Sequence, residues 1–231
     1  MSEGWPPGPS RPPAAADLHL WRSDLDAAGW PGPEGLPAAE RERAAQMRRP
    51  GASARWVAAR WALRGVLGRY LEEEPAEIAI TPDPDGKPQL QTAPERLRFN
   101  LSHSGAIALV ALSAAHPVGV DVEELRPDRD LIGLAERALG PEDVAAVRAA
   151  SPGERELVFH RCWARHEARL KCLGVGIFRD APPQDVTVAV RDLEVAAGYA
   201  AAVAVAAAQM PPMRCWTFGP AALQKDGRRV S

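Results

Sequence analysis

At 231 residues the chain is long enough to bury a sizeable core, as one domain or as two small halves packed together. Its 28 basic and 30 acidic residues leave a net charge of −2, which argues against a general nucleic-acid binder, whose surface would be strongly basic. Three cysteines, Cys162, Cys172 and Cys215, are an odd number without zinc-type spacing, so they support neither a disulfide framework nor a structural metal; reduced thiols and a cytoplasmic location are expected.

The first sixteen residues are rich in Pro, Gly and Ala and lack the basic start and apolar core of a signal peptide, so they read as a disordered leader. From Leu36 to Met47 the pattern is helical. Pro50-Gly51 interrupts it before a second helix from about Ser53, read as its N-cap, to Tyr70. Trp56, Ala59, Leu63, Val66 and Leu67 form the buried stripe of that helix. Basic residues crowd the stretch from Arg41 to Arg69, which suggests a local anion site, although a solvated helix face explains them equally well. Arg55, Arg60 and Arg64 lie beside the stripe, while Arg48 and Arg49 sit in the preceding turn, where backbone donors can assist phosphate binding. A short strand, Ile78-Ala-Ile80, leads into the rigid turn Pro82 to Pro88, which holds Lys87 between Gly and Pro.

Leu97 to Leu101, Ala106 to Leu112 and Val118 to Glu123 read as a tight antiparallel meander. His103 stands between two serines at a strand end. In Gly119-Val-Asp-Val-Glu123, Asp121 and Glu123 share one face of a strand while Val118, Val120 and Val122 enter the core. Adjacent carboxylates repel unless a cation lies between them, and oxygen ligands suit Mg2+; two solvated acids at a strand end are the simpler alternative.

Two short helical patterns, Leu131 to Leu139 and Glu142 to Ala149, precede the best-defined helix. Ser151-Pro-Gly-Glu154 reads as its capping box, and Gly174 as its stop. Phe159, Trp163, Glu167 and Lys171 follow one another at i, i+4 on a single stripe, so an acid and a base adjoin an apolar start. Strands at about Asp185 to Val190, Tyr199 to Ala207 and Arg214 to Phe218 and a polar tail complete the chain. The Ala/Val-rich run near position 200 is too short to cross a membrane.

The chain repeats itself in outline. Trp56 and Arg64 have the spacing of Trp163 and Lys171, so that Arg60 corresponds to Glu167, and Gly105 to Ser113 resembles Gly198 to Ala206. An α+β pseudodimer is expected: two similar subdomains, each a long helix on a small antiparallel sheet. After the leader, 1–16, the boundaries are 17–117 for the basic half and 118–231 for the acidic half, with the site between them.

Four separated pieces, Gly86-Lys-Pro88, Phe99 to Ser104, Gly119 to Glu123 and Trp163 to Lys171, together resemble the 4'-phosphopantetheinyl transferases of the larger, two-subdomain type. That family activates carrier proteins of nonribosomal peptide and polyketide synthases, in secondary metabolite biosynthesis. The likeness runs from about residue 20 to 218. It implies transfer of the 4'-phosphopantetheine arm of coenzyme A to a serine of an apo acyl or peptidyl carrier protein, with release of adenosine 3',5'-bisphosphate. By position it makes Asp121, Glu123 and Glu167 the Mg2+ ligands, Glu167 also the acceptor of the serine proton, and Lys171 the group that stabilises the transferring phosphate. Lys87, Ser102, His103 and Arg55 match places where the family grips coenzyme A, with Arg48 and Arg49 as looser candidates. The carrier would dock near the helices after Arg126, where Leu131, Ile132 and Leu134 either offer apolar contact or simply cover the core. One departure is His166, where the family usually has lysine; a histidine loses most of its charge above roughly pH 6.5. A monomer without nucleic-acid or membrane partners is expected. The rival readings are an Mg2+-dependent hydrolase of a nucleotide pyrophosphate and a noncatalytic module binding coenzyme A or a carrier domain.

Overall fold

Residues 4–12, 17–49, 51–83, 87–92, 96–126, 130–175 and 186–223 are described in the computed structural model. Gly86, Pro127, Asp185 and the polar tail beyond 223 lie outside them. Alternation along the strands decides the layering. In β1 (Leu18–Asp24) and β5 (Ile107–Ser113), Leu18, Leu20, Ile107, Leu109 and Ala111 point to one face of a sheet, and Trp21, Val110 and Leu112 to the other. With both faces covered, β5 is buried at every residue, which is why its sequence is an unbroken apolar run.

The first sheet has the order β4-β5-β1-β9, with β4 at Arg98–Ser104 and β9 at Met213–Thr217. On its outer face lies the long helix α2 (Ala52–Leu71), whose Ala62, Leu63, Val66 and Leu67 meet Trp21, Phe99 and Phe218. Its inner face meets a second sheet, β6-β8-β7, formed by Val118–Glu124, Tyr199–Val205 and Ala189–Leu193. Val118, Val120, Val122, Val203 and Val205 fill that interface. Each such side chain contributes roughly 1.5–3 kcal/mol when fully buried. On the far face Ala202 and Ala204 meet Ala164, Ala168 and Cys172 of α5 (Arg155–Leu173). Helix, sheet, sheet and helix therefore stack as four layers.

Smaller elements decorate this stack. After a 3-10 turn at Pro33–Gly35, α1 (Ala38–Ala45) is pinned to α2 by Glu40, which accepts from Arg60 at 2.5 Å and from Arg64 at 2.9 and 3.0 Å. β2 (Ile80–Pro82) and β3 (Pro88–Leu90) form a two-stranded ribbon. α3 (Leu131–Ala138), capped by Asp130 on Gly133 N at 3.0 Å, and α4 (Pro141–Ala149) pack on α5. Leu131, Ile132 and Leu134 are half-buried against Ala135, Val147 and Phe159.

Several expectations are corrected. β6 is not the third strand of a meander; it leaves for the second sheet, where it pairs with β8. β9 does not stay with the C-terminal strands but pairs in parallel with β1, Trp21 opposite Trp216. Ser53 lies inside α2, whose N-cap is Gly51 at φ 74°. Ser151 does not cap α5: its hydroxyl binds Glu154 Oε2 at 2.6 Å in a turn, and the helix begins one residue beyond Glu154. The described part of the leader, 4–12, is held in place by Gly8 N on Thr217 O at 3.0 Å and Thr217 N on Pro6 O at 2.7 Å. The strands expected at 78–80 and 185–190 begin later, at Ile80 and Ala189.

Candidate active site

The acids meet because of what lies opposite them. Val118, Val120 and Val122 turn into the sheet interface, so Gly119, Asp121 and Glu123 face α5. Gly119 lets the helix come close: a β-carbon there would lie 2.1 Å from Ala168 O and 2.3 Å from Cys172 N. Ala202 and Ala204 on neighbouring β8 are small for the same reason. The stripe of α5 that carries Glu167 and Lys171 is thereby laid against Asp121.

Asp121 is 3% exposed and Glu167 6%. The Lys171 ammonium donates to Asp121 Oδ1 at 2.5 Å and to Ser102 Oγ at 3.1 Å, and Ser102 Oγ donates to the same Asp121 oxygen at 2.8 Å. Ser104 Oγ donates to Glu123 Oε2 at 3.3 Å and accepts from Glu124 N at 3.1 Å. Asn100 Oδ1 accepts from Val120 N at 2.9 Å. Alternate side chains of β4 thus hold β6 along an edge where no strand is paired to it, and they set the direction of both acids.

Burial pushes the Asp121 carboxyl up, opposed by Lys171 and then Ser102. Burial, then Asp121, pushes Glu123 to about 7. Glu167 is raised by burial, with Lys171 opposing and Asp121 adding. These three acids feel one another and one shared cation. Two of their oxygens, Asp121 Oδ2 and Glu167 Oε1, are buried without a hydrogen-bond partner among the described residues. Among the described residues no three His, Cys, Asp or Glu side chains are arranged to hold a metal ion; the carboxylates are gathered around Lys171. The chemistry of the donors, carboxylate oxygens with two left unsatisfied, nevertheless fits a hard divalent cation.

The remaining candidates divide. His103 is exposed at the end of β4; partial enclosure of its ring, then the charges of Lys171 and Arg60, hold its pKa below 6.5. Lys87 is not free: its ammonium donates to Val118 O at 3.2 Å and Lys171 O at 2.6 Å, tying the end of α5 to the start of β6. Arg55 forms a two-pronged pair with Asp26 at 2.8 and 2.6 Å. Arg48 and Arg49 are exposed in the turn before α2, without a side-chain partner among the described residues. Most of the basic run serves the fold, since Arg60 and Arg64 hold Glu40 and Arg69 donates to Pro9 O at 2.8 Å. His166 is half-buried, and burial lowers its pKa, with Asp143 opposing and Arg169 adding. Sequence reasoning passed over Asn100 and Ser104; the signal was a polar residue at every second position of a buried strand.

A sequence model described as "4'-phosphopantetheinyl transferase superfamily" matches residues 117–224. The chain is 35% identical over 188 residues to the 4'-phosphopantetheinyl transferase HetI of Nostoc sp., with 77% of each protein covered. It is 32% identical to the putative 4'-phosphopantetheinyl transferase slr0495 of Synechocystis sp., over 68% of this chain and 65% of that protein. To the 4'-phosphopantetheinyl transferase AcpT of Escherichia coli (strain K12) it is 36% identical, over 60% of this chain and 66% of the relative.

Proposed function

This chain belongs to the 4'-phosphopantetheinyl transferase superfamily, and we propose that the cluster of Asp121, Glu123, Glu167 and Lys171 is where it moves the phosphopantetheine arm of coenzyme A to a carrier-protein serine. The observation that carries the assignment is the pair of buried, unpartnered oxygens, Asp121 Oδ2 and Glu167 Oε1, beside a lysine ammonium. A bare atom alone does not mark a site, since Arg60 Nε is equally bare within a pair that serves the fold; here both bare atoms are carboxylate oxygens grouped around one ammonium, the donor set that a further cation would complete. When bound by Asp121, Glu123 and Glu167, Mg2+ would supply charge neutralisation at the pyrophosphate.

The residues divide the remaining work. Glu167, whose pKa is raised by burial, takes the proton of the attacking serine hydroxyl, directly or through one water. The serine oxygen forms a bond to the phosphorus that bears the pantetheine arm, the pyrophosphate bond breaks, and adenosine 3',5'-bisphosphate leaves. Lys171 stabilises the transferring phosphate. His103 grips the 3'-phosphate, with Arg55, Arg48 and Arg49 at the rim and Ser102 beside it. Lys87 acts mainly by fixing the end of α5, since two carbonyls hold its ammonium. The partners would be acyl or peptidyl carrier proteins of nonribosomal peptide or polyketide synthases, in the cytoplasm, with the transferase a monomer.

A pseudodimer is supported by the four-layer stack, by long helices of 20 and 19 residues, and by Gly105 and Gly198, which sit at positive φ just before β5 and β8. The halves would be 17–117 and 118–231, with β9 lent to the first sheet.

Mass spectrometry of an apo carrier protein incubated with coenzyme A and Mg2+ tests this reading. The native chain should add phosphopantetheine, and Asp121→Ala and Glu167→Ala should be slower by at least about a hundredfold with the fold intact by circular dichroism. Full activity in Asp121→Ala would refute the site, and bisphosphate release without carrier would mark a hydrolase.

A further inference from the structure

Lys171 is the cation held inside the acid cluster: its ammonium lies 2.5 Å from Asp121 Oδ1 and 3.1 Å from Ser102 Oγ, one helical turn along α5 from Glu167. Asp121 and Glu167 are too buried for water to screen them. The three carboxyl groups are gathered around that single ammonium, which bonds one oxygen of Asp121 and leaves Asp121 Oδ2 and Glu167 Oε1 without a partner among the described residues. An ammonium 2.5 Å from Asp121 Oδ1 and a divalent ion on the same carboxylate would repel strongly.

We propose that Lys171 is the internal counter-cation of the acid cluster and competes with the divalent ion for it. The lysine holds Asp121 while the site is empty, is displaced as the ion enters, and is then free to meet the phosphates of coenzyme A. This rests on the metal assignment made above. The side chain is built for such a move. Lys171 O is fixed by Lys87 Nζ at 2.6 Å, so the backbone stays in place. The side chain is 29% exposed and carries its charge on a flexible four-carbon stem, so it can swing toward solvent. Ser102, which donates to Asp121 and accepts from Lys171, keeps the carboxylate oriented when the ammonium leaves.

The chain has three lysines, Lys87, Lys171 and Lys225, so amine labelling can be read residue by residue. Reductive methylation of the native protein, quantified by mass spectrometry, should modify Lys171 several-fold faster in saturating Mn2+ than without it, while Lys87 stays unchanged. Electron paramagnetic resonance of Mn2+ supplies the affinity: Lys171→Met should bind the ion at least about tenfold tighter than the native chain. Unchanged Lys171 labelling, or a Lys171→Met affinity no tighter than native, overturns the inference while leaving the metal site standing. Absence of Mn2+ binding by the native chain overturns both. If Lys171→Met does not fold, labelling of the native protein decides alone.

Discussion

Replacing Gly119 by alanine should disable the enzyme from a position that touches no substrate. The new β-carbon would lie 2.1 Å from Ala168 O, 2.3 Å from Cys172 N and 2.9 Å from the Lys171 carbonyl carbon, whereas ordinary contact begins at 3.4 Å. All three are main-chain atoms of α5, which cannot rotate aside, so helix and strand must separate by about 1 Å or more. Overpacking costs typically about 1–3 kcal/mol, and rigid neighbours place this change at the upper end. For a chain of 231 residues that corresponds to a fall in Tm of roughly 5–10 °C. The larger effect is on chemistry. Asp121 and Glu123 ride on β6 and Glu167 and Lys171 on α5, so the shift opens the 2.5 Å contact between Lys171 and Asp121. A misplacement of about 1 Å costs on the order of a hundredfold in rate. The checks are carrier loading by mass spectrometry and thermal unfolding by circular dichroism, with Gly153→Ala, which meets nothing within 4 Å, as control. Native Tm and native loading in Gly119→Ala would refute the close-approach argument.

Three further outcomes are expected. Glu40→Ala strands Arg64, whose side chain is 2% exposed, and should cost roughly 3–5 kcal/mol in urea unfolding; a loss below about 1 kcal/mol would show that the pair is dispensable. Asn100→Ala leaves the Val120 N–H without its acceptor and should cost about 1–3 kcal/mol in urea unfolding; equal stability of Asn100→Ala and native would show that this bond does not hold β6. His19 is fully buried, its Nδ1 2.7 Å from Tyr70 Oη, and burial, then Arg214, lowers its pKa from 6.5 to about 4 despite Asp17. The unfolded chain therefore binds a proton that the folded chain refuses, so this residue's share of stability is complete above pH 6.5 and falls toward pH 4, by about 1.4 kcal/mol per pH unit. Urea titrations at pH 7.5 and 5 should show a larger loss for the native chain than for His19→Phe; parallel losses would contradict the burial effect.

The motifs and long helices were legible because local pattern specifies them. Gly174 ends α5 in the left-handed conformation at φ 74°, and the alternation of Ala and Val in β8 matches one face on a helix and one on a sheet. What could not be read is which edges pair. A short turn between two apolar strands suggests a hairpin, yet β5 and β6 part at that turn, because periodicity reports faces and is silent on edges. β9 lies far along the chain from β1, and no local signal announces a parallel pairing over that separation. The basic run is ambiguous for a related reason. Glu40, the partner of Arg60 and Arg64, lies outside α2, so no pattern within the helix shows that these two arginines are struts.

The unpaired edge of β6 also explains how the acid cluster comes to lie at the junction of the two sheets. A backbone ladder between β4 and β6 would draw the strands to roughly 4.8 Å and use their polar groups up in one another. Instead Asn100 and Ser104 reach across to Val120 N and Glu124 N, satisfying buried donors without joining the sheets into one. Ser102, between them on the same strand face, spends its hydroxyl on Asp121 and receives Lys171. A seam made of side chains leaves space that a seam made of backbone would close, and the carboxylates of β6 project beside it. The same three polar residues that hold the two sheets together thus orient the acids of β6, so stability and carrier loading should be lost together when this seam is altered.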